Sequence, residues 1–349
     1  MFETVFRRRA APPPSSLVEY LGALYLQSAR EHPDIASKVY VSDDGTIAGF
    51  IGTMAIPMQI DGRIIMAAMC SSMMVDPDRA DPTLAGRLMR AVRQGPQDLS
   101  FAETASAVSV AMWKGLRGIV LPQYSLDWLR VFSPLQFAID LGRTHLPLPG
   151  MLAGLAAPLD AAIRRRRLGP QSWRWVEETS PHRDEALDRE QTASLIRNLA
   201  ASFRLAPDWP AGTLERMLDD AARKSTVGEM TSRAVTTADG KPVGIFIYHG
   251  RRKGVGRVLQ LLAIPNQTGA VIDRMFAHAA ACGLVALRGR ASPALLHAMS
   301  DRHFVFTSRA STVVATKDPA IMSALVEGKA LLNGLAGETW TRLNGDTFV

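Results

Sequence analysis

The sequence predicts an α/β protein built from two units with the same order of elements, and three observations carry that expectation. An antiparallel meander in the first half runs into a loop and then a helix. The same order returns in the second half. The turn that launches a strand in each half also keeps one spacing, Asp-Gly-x-x-x-Gly, at Asp44-Gly45-Thr46-Ile47-Ala48-Gly49 and at Asp239-Gly240-Lys241-Pro242-Val243-Gly244.

Taken in order, residues 17–29 carry apolar positions at helical spacing, and residues 38–41 read as a strand closed by Asp43-Asp44-Gly45. A strand over 47–56, a turn at Asp61-Gly62 and a strand over 64–75 complete the meander. Residues 76–83, dense in Asp and Pro, form a loop, and a helix follows over 84–93. A strand (99–103), a helix (105–116) and a strand (124–132) then end the first unit. In the second unit the matching elements are strand 257–264, helix 269–281, strand 285–288, helix 293–300 and strand 304–315.

The expected layout is a flexible N-terminal segment (1–16), a first domain (17–134) and a linker with a short amphipathic helix and a basic run (135–172). A second domain (173–317) beginning near Trp173, and a tail (318–349), follow.

This order, with a strand feeding a loop that opens a helix, resembles the GCN5-related N-acetyltransferase (GNAT) superfamily. The resemblance implies two tandem GNAT-like domains, α/β (α+β), each a mixed, mostly antiparallel sheet flanked by helices. In that family, amide hydrogens of the loop and the positive end of the helix dipole hold the diphosphate of acyl-coenzyme A. The family pattern Val-x-Pro-x-x-Arg-Gly-x-Gly-x-Gly/Ala places Val75, Pro77, Ala85, Leu88 and Met89 in register. The loop itself departs. Ala80 stands for Arg or Gln, Asp81 and Thr83 stand for Gly, and Pro82 lacks an N–H. The cofactor-binding residues implied are Met74, Val75, Thr83, Leu84, Ala85, Gly86 and Arg87, with acetyl-coenzyme A or another acyl-coenzyme A as co-substrate and no metal.

The catalytic assignment rests on Glu103, at the end of a strand beside this loop, as the base that takes the amine proton; its competing role is to cap the next helix. Ser71 and Ser72 lie where family members meet the pantetheine arm. The family tyrosine that protonates the leaving thiolate is replaced by Trp113, read as core packing because an indole N–H is too weak an acid. A closer textual match, Arg251 to Gly256, precedes an alternating stretch and is read as a turn between strands. The second unit's own loop, Ile264-Pro265-Asn266-Gln267-Thr268-Gly269, is short, and that half is expected to act as scaffold and not to bind.

At 349 residues, 47% hydrophobic and 21% charged, the chain has ordinary globular composition for two domains. The excess of 40 Lys and Arg over 33 Asp and Glu sits partly in arginine runs at 7–9 and 164–167, read as solvated surface and not as a nucleic-acid footprint. Cys70 and Cys282 lie inside apolar segments far from metal-ligand spacing, which suits a reducing cytoplasm. No secretory core precedes the Pro-rich start, and the stretch 146–163 is broken by prolines and Asp160, so a soluble cytoplasmic protein is expected.

The leading expectation is an acyl-coenzyme A-dependent N-acyltransferase acting on a small-molecule or peptide amine. The alternatives are a non-catalytic tandem GNAT-like module that binds a ligand or partner, and a transferase using aminoacyl-tRNA through residues 164–167.

Overall fold

The computed structural model describes residues 1–9, 11–76, 81, 83–143, 181–300, 302 and 304–348. The loop residues 77–80 and 82, the arginine run at 164–167 and the expected second start near Trp173 lie outside the described residues.

The chain opens with α1 (Phe2–Arg7), then α2 (Ser15–Leu21) and α3 (Gln27–Glu31), joined through a π-helical turn at Gly22–Leu26. The single helix expected over 17–29 is therefore interrupted, and Tyr25 inside the π turn is buried. The meander follows as β1 (Lys38–Val41), β2 (Ile47–Ile60) and β3 (Arg63–Val75), with α4 (Leu84–Arg93) after the loop. Next come β4 (Leu99–Ala105), α5 (Ala107–Gly115), β5 (Ile119–Val120), β6 (Asp127–Val131) and α6 (Pro134–Arg143).

The second half contains β7 (Arg183–Ala186), α7 (Arg189–Ala200), β8 (Leu205–Pro207), α8 (Thr213–Ala222), β9 (Glu229–Thr236) and β10 (Pro242–Gly250). It continues with β11 (Val255–Ala263), α9 (Thr268–Ala281), β12 (Ala286–Arg290), α10 (Pro293–Ser300), β13 (Val305–Thr307), β14 (Ser311–Thr316) and α11 (Pro319–Val326).

Two seven-stranded sheets result, ordered β1-β2-β3-β4-β14-β5, with β8 added to β2, and β13-β6-β12-β11-β10-β9-β7. Each is mixed and mostly antiparallel, with one parallel pair, β3 on β4 in the first and β11 on β12 in the second. Helices cover both faces. In the first sheet α4 and α5 close one face over Ile51, Cys70 and Ala102, with Trp113 of α5 in that core, while α11 and Tyr124 pack the other over Met69 and Phe101. In the second, α9 and α10 cover Phe246 and Leu287, and α7 and α8 cover Ile245 and Leu259.

The pairing differs from the simple tandem order because the halves exchange strands: the first lends β6 to the second sheet, and the second lends β14 and the short β8 to the first. β6 lies in the second sheet between β12 and β13, and β14 lies in the first between β4 and β5. The strands expected over 124–132 and 304–315 are thus shorter or split, and both cross between sheets. Alternating apolar residues identify a strand but not its neighbour, so the exchange leaves no mark in the pattern.

The two crossings are hydrogen-bonded to one another. Leu121 N–H donates to the Thr312 carbonyl, Thr312 N–H to Ser125 Oγ, and Thr312 Oγ1 to the Tyr124 carbonyl. Arg290, at the end of β12, closes the knot. Its guanidinium donates to the carbonyls of Tyr124, Glu103 and Ala310, to Thr312 Oγ1 and to Asp127.

Residues 330–338 are all buried and run between the sheets. Leu332 joins the first sheet's core with Phe101, while Leu331 and Leu335 join the second's with Ile245 and Leu259. The chain end also meets its beginning, since Arg7 donates to the Asp346 carbonyl and Phe348 packs against Tyr20. Among the described residues, no helix is long and apolar enough to cross a membrane.

Candidate active site between two parting strands

The first sheet opens at its parallel pair. β3 and β4 are in register at Ala67 with Leu99, Ala68 with Ser100 and Met69 with Phe101; beyond that β3 runs on to Val75 and β4 to Ala105 without pairing each other. The cause is a β-bulge in β3. Gly52 faces Ser71 and Phe50 faces Met74, so Ser72 and Met73 together oppose Ile51. Ser72 sits at φ 49°, a left-handed conformation that a residue with a Cβ adopts only at some energetic cost. A bulge of this kind bends its strand, and here it lies between the last pair with β4, Met69 with Phe101, and the strand end at Val75.

Tyr25 holds the bulge. A phenol carries one hydrogen, so its hydroxyl donates to Ser72 Oγ at 2.7 Å and accepts from Ser71 Oγ at 2.8 Å. Burial pushes the phenol up to about 12, so it keeps its proton at neutral pH. The ring lies on Gly52, where an added Cβ would stand 2.4 Å from Cε1. Only glycine admits the ring there.

On the opposite flank, Thr104 at the end of β4 is exposed, and its hydroxyl donates to the Glu338 carboxylate. Burial, and then the nearby Glu103 charge, push Glu338 up to about 7. The Glu103 carboxylate is fully buried. It accepts from the Gly334 N–H at 3.1 Å, the Glu338 N–H at 2.8 Å and the Thr339 N–H at 3.1 Å, and from the Thr339 hydroxyl at 3.3 Å. Burial also raises Glu103, against the pull of these donors and the Arg290 charge. Three amides converge on Glu103, while Thr104 gives Glu338 both its hydroxyl and a backbone hydrogen bond. Lys224 lies behind them with its ammonium on the Thr339 carbonyl, pulled down to about 8 by burial.

The sign of the pH effect follows. The native state holds a proton on Glu338 that the unfolded chain releases near 4.5, so stability falls as pH rises from about 4.5 to about 7. Glu338→Gln keeps the neutral shape. Its melting temperature is expected to match wild type at pH 4 to 5 and to exceed it at pH 8, by up to about 3 kcal/mol in stability. Equal melting temperatures for the two proteins at pH 8 would contradict the raised Glu338.

A sheet whose central parallel strands part beside a helix start is a recognisable architecture. The fold is that of solved GCN5-related N-acetyltransferases. A conserved protein of Enterococcus faecalis V583, described as a probable N-acyltransferase, superposes with TM-score 0.57 at 8% identity over 94% of this chain and 70% of its own. A GCN5-related N-acetyltransferase from Kribbella flavida gives 0.54 at 14% identity, over 93% and 70%. One from Anabaena variabilis gives 0.52 at 11%, over 87% and 71%. No protein-family model matches the sequence, and neither does any curated protein.

Within this fold, the residues that the sequence marked for the cofactor fall at one end of the opening. Met74 and Val75 close β3, Thr83 precedes α4, and Leu84, Ala85, Gly86 and Arg87 form its first turn. No side chain caps the helix, and space is open beside Gly86. Gly49 lets α4 approach β2, where a Cβ would meet Leu88 at 2.9 Å. Asp81 sits at the helix start and accepts from the Thr83 N–H and hydroxyl, both at 2.8 Å, bonds that hold its carboxyl below the usual range. Arg87 lies 3.8 Å from Asp81 and over the Tyr40 ring.

Cys70 packs in the core with its thiol pushed up to about 12 by burial, which removes it as a nucleophile. Trp113 is buried. His249 is buried, bonded to the Ala221 carbonyl and pulled down to about 4, so it stays neutral. Among the described residues, no cluster of His, Cys, Asp or Glu could hold a metal ion.

The second sheet opens in the same way. β11 and β12 are in register only from Val255 with Ala286 to Arg257 with Arg288, and β11 then continues to Ala263 paired with β10 but not with β12. The chain itself fills this opening: Leu335 N–H donates to Gln260 Oε1 at 3.0 Å and Asn333 Nδ2 to the Ala291 carbonyl at 2.8 Å. A cavity of about 530 Å³ remains at the start of α9, lined by residues including Phe203, Ile264, Asn266, Thr268, His297 and Lys329.

Sequence reasoning missed Tyr25, Thr104 and Glu338. Tyr25 sits in what reads as an ordinary helical face, and Glu338 in a stretch with no periodicity. Their meeting depends on long-range contacts.

Proposed function

We propose that the chain is an acyl-coenzyme A-dependent N-acyltransferase whose site is the opening between β3 and β4. The observation that carries this is the parting of these strands at the Ser72 bulge, on the strand that precedes an uncapped helix start in the chain. The first turn of α4, Thr83 to Arg87, would face the diphosphate, with Arg87 as the nearby cation. The strand end at Ser71 to Val75 would guide the pantetheine arm, and the thioester would lie between Tyr25 and Thr104. Coenzyme A supplies an activated acyl thioester when bound; the chain's part is to orient it, exclude water and manage the amine proton. The acceptor is a small-molecule or peptide amine.

Glu103 is assigned to fixing the C-terminal segment and not to meeting the acceptor, because its oxygens are engaged and it has no exposed surface. The second unit is assigned a scaffold role, its opening being filled by Asn333 to Leu335. The binding-only reading is favoured by one feature, the Asp81 carboxylate, which opposes an incoming diphosphate.

Calorimetric titration with acetyl-coenzyme A separates the readings. Binding to wild type is expected, with affinity raised about three- to tenfold in Asp81→Asn once the opposing charge is gone. No heat from either protein at millimolar ligand would remove the acyltransferase reading.

A further inference from the structure

We propose that Glu338 is the proton acceptor of this opening, working through the hydroxyl of Thr104. The inference rests on the acyl-transfer reading above. It adds a residue that lies far from the cofactor loop in sequence and is brought to the site only by the buried C-terminal segment.

The argument is geometric first. Thr104 is the exposed group at the end of β4, on the flank opposite the Tyr25-Ser71-Ser72 cluster, and its hydroxyl points its hydrogen at the Glu338 carboxylate. A hydroxyl so oriented keeps its lone pairs for an incoming donor such as an amine N–H. The carboxylate behind it cannot wander, since the Glu338 N–H is fixed by Glu103 and Gly337 lets the backbone lie against that carboxylate. A Cβ at 337 would come within 2.2 Å of Glu103 Oε2.

The charged and titratable groups around Glu338 are consistent with a base poised near neutrality. Glu103 on β4 raises it, Arg290 on β12 lowers it, and the Thr104 hydroxyl stabilises its ionised form. Tyr25 in the π turn and Cys70 on β3 sense its charge but are both raised by burial and stay protonated. Lys224, beyond Glu103, moderates the Glu103 charge.

The step balances without another reagent. The amine nitrogen attacks the thioester carbonyl carbon and the C–N bond forms. A proton on that nitrogen moves to Thr104 Oγ1 as the hydroxyl hydrogen moves to Glu338. The tetrahedral intermediate then collapses, the C–S bond breaks, and Glu338 returns the proton through the same hydroxyl to the departing thiolate. The products are an amide and a free thiol.

The test uses the full chain with acetyl-coenzyme A, reading thiol release with spermine and with a lysine-containing peptide as acceptors. Wild-type kcat/KM is expected to show a limb near pH 7 from Glu338, separate from the later rise that the free acceptor amine gives near its own pKa of about 10. Glu338→Gln is expected to lose about 100-fold or more in kcat and the pH limb with it, with acetyl-coenzyme A affinity held within about twofold by calorimetry. Glu338→Asp should recover part of the rate and a shifted limb, and Thr104→Val should lose rate without losing the cofactor. Wild-type kcat and pH limb retained in Glu338→Gln would overturn the proposal. So would parallel loss of folding and cofactor affinity in Glu338→Gln that Glu338→Asp does not reverse. Absence of acetyl-coenzyme A binding to wild type would instead strike the acyl-transfer reading itself, a separate result from the same titration.

Discussion

Replacing Arg290 with methionine is expected to lower stability by about 3–5 kcal/mol. The reason lies in what the guanidinium leaves behind. The carbonyls of Tyr124, Glu103 and Ala310 and the Thr312 hydroxyl all accept from it, and Asp127 pairs with it at 3.3 Å. Methionine fills much of the volume but donates nothing, so several acceptors at the strand exchange lose their partner in a place where water reaches poorly. Arg290→Lys should recover little, because one ammonium cannot reproduce a planar fork serving acceptors on several segments. Asp127→Asn should cost less than Arg290→Met, since Asp127 is partly exposed. Urea unfolding measures all three. In Arg290→Met, amide exchange should quicken first at Leu121 and Thr312, whose N–H groups bridge the two crossings. A loss under about 1 kcal/mol for Arg290→Met would mean that the crossings are held by packing alone.

The sequence carried the elements well where their physics is local. The strand before the 76–83 loop, the helix beginning at Leu84 and the helix from Pro293 to Ser300 are written in apolar spacing and in their neighbouring turn formers, and the structure has both helices at the same residues and the strand one residue longer. Residues 251–254 form a turn between β10 and β11, with Val255 and Gly256 already in the strand, as the alternation after them implies. What the pattern did not carry was partnership. β6 and β14 read as strands, but a strand's alternation is equally satisfied by either sheet, and the choice is made by Arg290, Ser125 and Thr312 at the crossings.

The site divides along the same line. The flank formed by β3 and α4 is contiguous in sequence and could be read as a motif with departures. Tyr25 reaches that flank from the N-terminal helices; the other flank is assembled from Thr104 and Glu338, more than two hundred residues apart, and nothing in the stretch Gly337-Glu338-Thr339-Trp340 marks it as part of a site. Glu103 could be singled out from its place at a strand end. That place does not reveal that the acceptor capacity of its carboxylate would be used up by the chain's own amides.

That use defines the second large effect. Glu103→Gln is expected to cost about 3–5 kcal/mol, because the new amide nitrogen must face N–H donors where a carboxylate accepted them, and Lys224 loses the charge that balances it. The damage should be local before it is global. Residues 330–338 are pinned at Gly334, Glu338 and Thr339, so these amides should lose exchange protection first, and proteolysis should begin in this segment while the β2–β3 meander stays protected. The same variant tells a scaffold role from a catalytic one. If Glu103 itself took the amine proton, Glu103→Gln would lose turnover with residues 330–338 still protected. If Glu103 holds Glu338 in place, loss of turnover and loss of protection arrive together, and Gly337→Ala, whose added methyl meets the Glu103 carboxylate, should reproduce both without removing any charge.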